Sequence, residues 1–192
     1  SVVKAKLTAE RRTQIKENNQ LNDDRHFVVI GASQAGCWIA KTLRKEGFLG
    51  RITLIGEEAY YPYERPPLSK DVLLGSASIE STYFWPPESY KEDRIDVRLN
   101  TTAIKIQKEE KTVTLQSGEM IHWDKLAITT GSRVRQLDNV SPNLRGVHYL
   151  RSLDDTEAIR RAAQKGGNAV IIGGGWIGLE CASTLKKLGC HP

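Results

Sequence analysis

Methionine is almost missing from this chain: Met120 is the only one, and the first residue is Ser1. The start therefore reads as processed, or as the beginning of a piece or fusion of a longer polypeptide. Cysteine is scarce too. Cys37, Cys181 and Cys190 are the three, and no two stand in a Cys-x-x-Cys or other close redox spacing. That argues against dithiol–disulfide chemistry and for a reducing, cytoplasmic setting, with Cys37 and Cys181 read as small helix-packing residues. No apolar run approaches the length of a membrane span, and no signal peptide is evident. Zinc-ligand spacings, basic repeats and aromatic platforms are lacking as well. A net charge of +5 is then weak support for nucleic acid and is compatible with an acidic partner.

What is present is an ordinary globular composition, 39% hydrophobic and 27% charged over 192 residues, enough for a real core in one or two domains. Residues 1–25 stand apart as a polar tail, with one marginal helix expected from Thr8 to Glu17. Phe27-Val28-Val29-Ile30 is a continuous apolar run, as a strand buried on both faces requires. Gly31-Ala32-Ser33-Gln34-Ala35-Gly36 follows, then a helix to about Glu46 closed by Gly47, then the strand Arg51–Ile55. This is a βαβ unit with a glycine-rich first turn. Gly31 permits the tight turn, Gly36 permits close helix–strand packing, and the helix N-terminus meets a pyrophosphate. Glu57 lies 21 residues after Gly36, where a carboxylate accepts hydrogen bonds from a ribose hydroxyl. The middle glycine of the motif is replaced by Ser33, which is small and able to donate a hydrogen bond.

Tyr61-Pro-Tyr-Glu-Arg-Pro-Pro-Leu-Ser-Lys70 comes next, with Pro67 suited to the first position of a helix through Leu74 that Gly75 would end. Arg65 just ahead of that helix and Lys70 on its first turn would gather two cations at its positive end, a place for an anion. A solvated surface turn is the competing reading. Ser78 to Tyr90 reads as a loop carrying Tyr83, Phe84 and Trp85, aromatics for core packing or for lining a cofactor. Ile95–Leu99 is a short strand, and Ala103–Gln107, Thr112–Leu115 and Met120–Trp123 form an antiparallel meander with turns at Lys108-Glu109-Glu110 and Ser117-Gly118. Lys125–Thr129 is another buried strand ending in Thr130-Gly131, with Arg133 and Arg135 beyond, which suits either a phosphate-bearing ligand or an ordinary turn. Ser141–Tyr149 is a linker. A helix then runs to about Gln164 with Ser152 or Asp154 as cap, closed by Gly166-Gly167. Ala169–Ile172 reads as a third buried strand. Gly173-Gly174-Gly175-Trp176-Ile177-Gly178 is a full Gly-x-Gly-x-x-Gly motif, and its helix continues to Leu188 before Gly189. The acidic ribose ligand expected about 20 residues further on is not encoded before Pro192.

These residues resemble the FAD-dependent, NADH-using ferredoxin reductases of aromatic-ring dioxygenase systems, of the 3-phenylpropionate/cinnamate type. The match runs from Phe27 to about Gly189 and rests on Gly31–Gly36, Tyr63-Glu-Arg-Pro-Pro-Leu-Ser-Lys70, Thr129-Thr-Gly131 and Gly173-Gly-Gly-Trp-Ile-Gly-Leu-Glu180. The resemblance implies an α/β, Rossmann-like FAD/NAD(P)-binding fold with a parallel sheet and an antiparallel meander, cut off within the second nucleotide-binding unit. Residues 26–150 would be the first part of an FAD domain and residues 151–192 the start of an NADH domain. It further implies that Ser33, Gly36 and Arg135 face the FAD pyrophosphate, that Glu57 meets the adenosine ribose, and that Arg65 and Lys70 approach the flavin. Glu180 would pair with Lys70 beside the flavin, the two forming the catalytic pair, and Gly175 to Gly178 would face the NADH pyrophosphate. Gly31, Gln34, Ala35, Ala103, Thr130 and Gly131 complete the implied FAD contacts, and Gly173 and Ile177 those to NADH; no metal is implied. The implied partner is a ferredoxin, an acidic iron–sulfur protein.

Two other functions stay open on the sequence: a non-enzymatic FAD- or nucleotide-binding remnant, and a related NADH oxidase or disulfide reductase. The lack of a cysteine pair weighs against the disulfide reductase, and Pro66-Pro-Leu-Ser-Lys70 against both enzymes. A single βα unit cannot cover both faces of a parallel sheet. The helix from Ile177 is therefore expected to expose Leu179, Ala182, Leu185 and Leu188, and the chain as it stands to self-associate and to lack NADH-dependent turnover.

Overall fold

The computed structural model describes residues 23–141 and 144–192; the helix expected over Thr8–Glu17 lies outside them. The chain divides into two compact units. The first holds the residues up to Tyr63 together with Phe84–Gly131, and the second holds Glu64–Tyr83 and Ser132–Pro192.

The first unit is built on a four-stranded parallel sheet of β1 (His26–Ile30), β2 (Arg51–Ile55), β3 (Ile95–Arg98) and β7 (Lys125–Ile128), in the order β3-β2-β1-β7. The two inner strands, β1 and β2, are largely buried on both faces because both are covered. Helix α1 (Gln34–Lys45) places Cys37 and Ala40 over Val29, Ile52 and Leu54, and Tyr90 and Ile95 join them. Against the other face, Val28, Ile30 and Ile55 pack on Val113, Leu115 and Ile121 of a three-stranded antiparallel sheet. That sheet is β4 (Ala103–Gln107), β5 (Thr112–Leu115) and β6 (Met120–His122), the meander expected over these residues. The segment expected as a loop up to Tyr90 contains a short helix, α3 (Pro87–Glu92). Pro87 sits in its first turn, where a missing N–H removes no intrahelical bond, so the Pro-Pro pair starts a helix instead of ending order. Trp85 and Phe84 pack against the core.

The buried stripe of α1 runs Gly36, Cys37, Ala40, Lys41, Arg44, so two of its five residues are charged. Arg44 is nearly sealed and donates to four backbone carbonyls, those of Asp93 (2.7 Å), Phe48 (2.7 Å), Gly50 (2.8 Å) and Arg94 (2.9 Å). Burial pulls its pKa down to about 10. Lys41 donates to the Ser89 hydroxyl at 2.5 Å and to Asp93 at 2.9 Å, above the Tyr90 ring.

In the second unit the expected helix from Pro67 to Leu74 is broken. Pro66–Ser69 is a 3₁₀ turn and α2 is only Asp71–Leu74, with Lys70 between them in a non-helical conformation. Two consecutive prolines favour the tighter turn, and Lys70 absorbs the change of direction. Helix α4 (Leu153–Ala163) has a full capping box, Ser152 accepting from the Asp155 amide and Asp155 accepting from the Ser152 amide. Helix α5 (Trp176–Lys187) follows the second glycine motif. The strand expected over Ala169–Ile172 does not form. Only β8 (Gly167–Asn168) and β9 (Cys190–His191) pair, and Val170 and Ile172 are 88% and 74% exposed. An apolar run becomes a strand only where neighbours satisfy its backbone, and here two residues do so. Of the apolar positions expected to be exposed on α5, Leu179 is, but Leu185 is buried with Ala163 and Cys190, and Leu188 packs on the same cluster. Among the described residues no helix is long and apolar enough to cross a membrane.

Candidate functional site

The register of the parallel sheet brings its carboxyl ends into one row. Ile30 pairs with Ile55 on one side and with Ile128 on the other, so Gly31, Gly56-Glu57 and Thr129–Gly131 leave the same edge together. Gly31 holds φ at +113° and donates to Ile55 O at 2.8 Å. A Cβ at Gly31 would lie 2.2 Å from Thr129 O, and one at Gly36 only 2.0 Å from Gly31 O, so neither position admits a side chain. Gly56 clears room for the Ala32 methyl. Ser33 is the N-cap of α1 and makes no side-chain capping bond, while Gln34 and Ala35 lie exposed on the first turn. The first-turn amides of a helix have no intrahelical acceptor, so this turn presents donors to an anion. Those features fit a dinucleotide pyrophosphate: a backbone cradle that Cβ atoms would fill, at a helix N-terminus.

Glu57 is exposed one residue beyond this edge, and its turn is tied down from the far side. Gly56 N donates to Arg98 O (2.9 Å), Thr101 N to Gly56 O (2.8 Å) and Asn100 N to Glu58 O (3.1 Å). Tyr63 donates to the Glu58 carboxylate at 2.5 Å. Sequence reasoning missed this bracing by residues 98–101, because a turn that braces a neighbour carries no pattern of its own. Thr130 and Gly131 are exposed at the end of β7, and Ala103 packs against the Val28–Val113 cluster. Arg133 and Arg135 lie exposed in an irregular segment that belongs to the second unit. Cys37, on the inner side of α1, has its thiol pushed up to about 11 by burial, which leaves it protonated and unreactive.

The second unit repeats the same turn. Gly173 has φ +111°, and a Cβ at Gly178 would meet Gly173 O at 2.2 Å. Among the described residues nothing comes within 4 Å of a Cβ at Gly174 or Gly175, so they leave the face of this turn open. Trp176 and Ile177, on the first turn of α5, are 83% and 58% exposed. One turn further along that helix, Glu180 meets the proline-rich segment. Its Oε2 accepts from the Lys70 ammonium at 2.6 Å and from the Ser69 hydroxyl at 2.5 Å, and these two bonds hold its carboxyl below the usual range. Thr184 donates to Ser69 O (2.8 Å) and Thr156 to Leu68 O (3.3 Å), so two helices grip the backbone that carries Lys70. Arg65 donates to Arg151 O at 2.5 Å. Among the described residues no cluster of His, Cys, Asp and Glu could hold a metal ion.

Two βα turns of this build in one chain, the first inside a parallel sheet, define an α/β protein of the dinucleotide-binding class. The family model for pyridine nucleotide-disulphide oxidoreductases matches residues 25–191, and the chain belongs to that family. It is 40% identical over 168 residues to the 3-phenylpropionate/cinnamic acid dioxygenase ferredoxin–NAD(+) reductase component of Photorhabdus laumondii, an overlap of 86% of this chain and 42% of that one. To the p-cumate 2,3-dioxygenase ferredoxin–NAD(+) reductase component of Pseudomonas putida it is 38% identical, with 85% and 40% covered. Among solved structures, the putidaredoxin reductase–putidaredoxin complex matches with a TM-score of 0.79 at 36% identity, over 88% of this chain and 42% of that one. A ferredoxin reductase of Rhodopseudomonas palustris matches with 0.82 at 36% identity, over 88% and 41%. The chain thus spans about two fifths of the length of these relatives.

Proposed function

We propose that this chain is the front part of an NADH-dependent, FAD-containing reductase that passes electrons to the ferredoxin of an aromatic-ring dioxygenase system. The observation that carries the reading is the row of Gly31, Glu57 and Thr130 along one sheet edge, with a second turn of the same geometry at Gly173–Gly178. In this reading Ser33, Gln34, Ala35 and Gly36 hold the FAD pyrophosphate by their amides, with Arg135 as a countercharge and Glu57 accepting from the adenosine ribose. Thr130, Gly131 and Ala103 line the same ligand. Gly173, Gly175, Ile177 and Gly178 receive the NADH pyrophosphate, the open face at Gly175 allowing close approach.

Bound flavin supplies the chemistry that links a two-electron hydride donor to a one-electron iron–sulfur acceptor. Lys70 is the cation beside it, and Glu180, anchored by Ser69, fixes where that cation stands. A preoriented positive charge favours the state in which negative charge has developed nearby. Arg65, held on Arg151 O, adds a second. The net charge of +5 suits an acidic ferredoxin, although its effect on encounter is screened beyond about 10 Å at ordinary salt.

The test is a titration of the purified chain with FAD, FMN and ADP, followed by flavin fluorescence and by calorimetry. FAD and ADP bind and FMN does not, because Glu57 and the α1 turn address the adenylate half. Equal binding of FMN, or none of FAD, would overturn the reading. We further infer that NADH turnover requires a polypeptide of the relatives' length, and that the exposed Val170, Ile172, Trp176 and Leu179 make the isolated chain self-associate. Brisk NADH oxidation by the isolated chain, or a monomer by light scattering at high concentration, would contradict this.

A further inference from the structure

We infer that Thr129 is a positioning residue: its hydroxyl clamps the Gly31–Ala32 peptide so that the phosphate-binding turn keeps its donors outward. The choice of FAD as ligand rests on the function proposed above; the clamp itself rests on geometry within the first unit.

Regular pairing of β7 ends at Ile128, yet Thr129 stays attached to β1, its amide donating to Ile30 O at 2.7 Å. Its Oγ1 then lies 3.0 Å from Ile30 O and 3.0 Å from Gly31 O, so one hydroxyl hydrogen is shared between two consecutive carbonyls. Gly31 O is wedged between that hydroxyl and the Cα of Gly36, where a Cβ would come within 2.0 Å. Its direction is therefore fixed inward. A trans peptide is planar, with C=O and N–H pointing opposite ways, so an inward Gly31 carbonyl sends the Ala32 N–H outward to the crevice. The same hydroxyl would lie 2.9 Å from a Cβ on Gly31 and on Gly36, so it fills the space the two missing side chains leave.

The second motif is an internal contrast. Gly173 has nearly the same φ as Gly31, and Gly178 approaches Gly173 O as Gly36 approaches Gly31 O. But among the described residues nothing stands within 4 Å of a Cβ at Gly173, so none of them holds that turn as Thr129 holds the first.

The experiment compares the parent chain with Thr129→Val, which keeps the shape and loses the hydroxyl, and Thr129→Ser, which keeps the hydroxyl. Amide hydrogen exchange is read without ligand on the peptide spanning residues 30–38, whose slow reporters are Gly31 N–H on Ile55 O and Cys37 N–H on Ser33 O. The meander, residues 112–122, serves as reference. Thr129→Val should speed exchange in the turn roughly tenfold relative to the meander and raise the FAD dissociation constant about tenfold, the loss of one hydrogen bond's net worth. Thr129→Ser should restore both. Unchanged exchange in the turn, or a serine variant no better than valine, overturns the clamp. If exchange responds but the parent binds no FAD, the clamp stands and the FAD reading falls. Should Thr129→Val fail to fold, Thr129→Ala carries the same comparison with Thr129→Ser.

Discussion

Consider Gly36→Ala. The methyl group would be placed 2.0 Å from Gly31 O, 2.9 Å from Thr129 Oγ1 and 3.1 Å from Leu54 Cδ1. Carbon–oxygen contacts of that kind essentially never fall below 3.0 Å, so α1 and the Gly31 turn must separate by about 1 Å. Leu54 is fully buried and cannot yield, and the carbonyl belongs to backbone held at both ends. Overpacking at such a site costs up to about 3 kcal/mol. Alanine's better helix propensity offsets about 1 kcal/mol, which leaves a net loss of about 2 kcal/mol. For a chain of this size the midpoint of thermal unfolding falls by roughly 4–8 °C. The effect on ligand binding is larger. A 1 Å shift takes at least two first-turn amides out of reach of the phosphates, and at about 1.5 kcal/mol each the FAD affinity falls by more than about a hundredfold. The assay pairs circular-dichroism melting with fluorescence titration of FAD. Gly175→Ala is the control, because none of the described residues lies within 4 Å of its Cβ and the unliganded fold should be untouched. A Gly36→Ala protein with parent stability and parent FAD affinity would refute the argument that the turn and the helix are in obligatory contact.

Arg44→Met should lower the unfolding free energy by about 3 kcal/mol, since four charge-assisted bonds at about 1.5 kcal/mol each are lost while a desolvation cost of about 3 kcal/mol is relieved. Urea unfolding measures it, and a loss below about 1 kcal/mol would show that the four carbonyls find other partners. Burial, with Arg51 close by, holds His26 below its ordinary 6.5, so the unfolded chain takes up this proton first and stability falls as pH drops below 6.5 until the folded His26 itself titrates. His26→Gln should remove that slope from unfolding midpoints taken between pH 7 and 5; an unchanged slope would assign the dependence elsewhere. In a protein of the relatives' length, Lys70→Ala should slow flavin reduction by NADH about a hundredfold while changing FAD affinity little. Stopped-flow traces with the parent rate would remove Lys70 from the chemistry.

Most of the first unit is legible in residue order alone. Phe27–Ile30 and most of Arg51–Ile55 are apolar because α1 and the meander cover the two faces of the sheet. The turn at Gly31–Gly36 is legible for a steric reason, since each of these glycines sits where a Cβ collides with backbone. What escapes is whatever depends on a partner distant in sequence. Nothing in the sequence marks that the hydroxyl, carboxylate and carbonyls of residues 89–94 come over Lys41 and Arg44. Thr129 reads as the last residue of a strand, because a threonine carries no sign of what its hydroxyl meets. Ala169–Ile172 fails in the opposite sense: its composition is that of a buried strand, but composition cannot supply the neighbours. The break falls at Lys70, whose ammonium meets Glu180, 110 residues further on.

The chain leaves the first unit after Tyr63 and re-enters it at Phe84, and both sides of that excursion are closed by backbone bonds, Phe84 N to Pro62 O at 3.0 Å and Glu64 N to Thr82 O at 2.9 Å. The excursion carries Ser69 and Lys70, yet the side chains that grip them, Glu180 and Thr184, are made more than a hundred residues later. On the ribosome, at roughly 5–20 residues per second, the parallel sheet has all its strands by Ile128, while the Lys70 segment waits several seconds more for α5. Because its ends are already pinned together, it waits as a closed loop and does not hold the sheet open. Contacts of such separation form slowly. The parallel sheet is thereby able to mature before Ser69 and Lys70 have the helix that grips them.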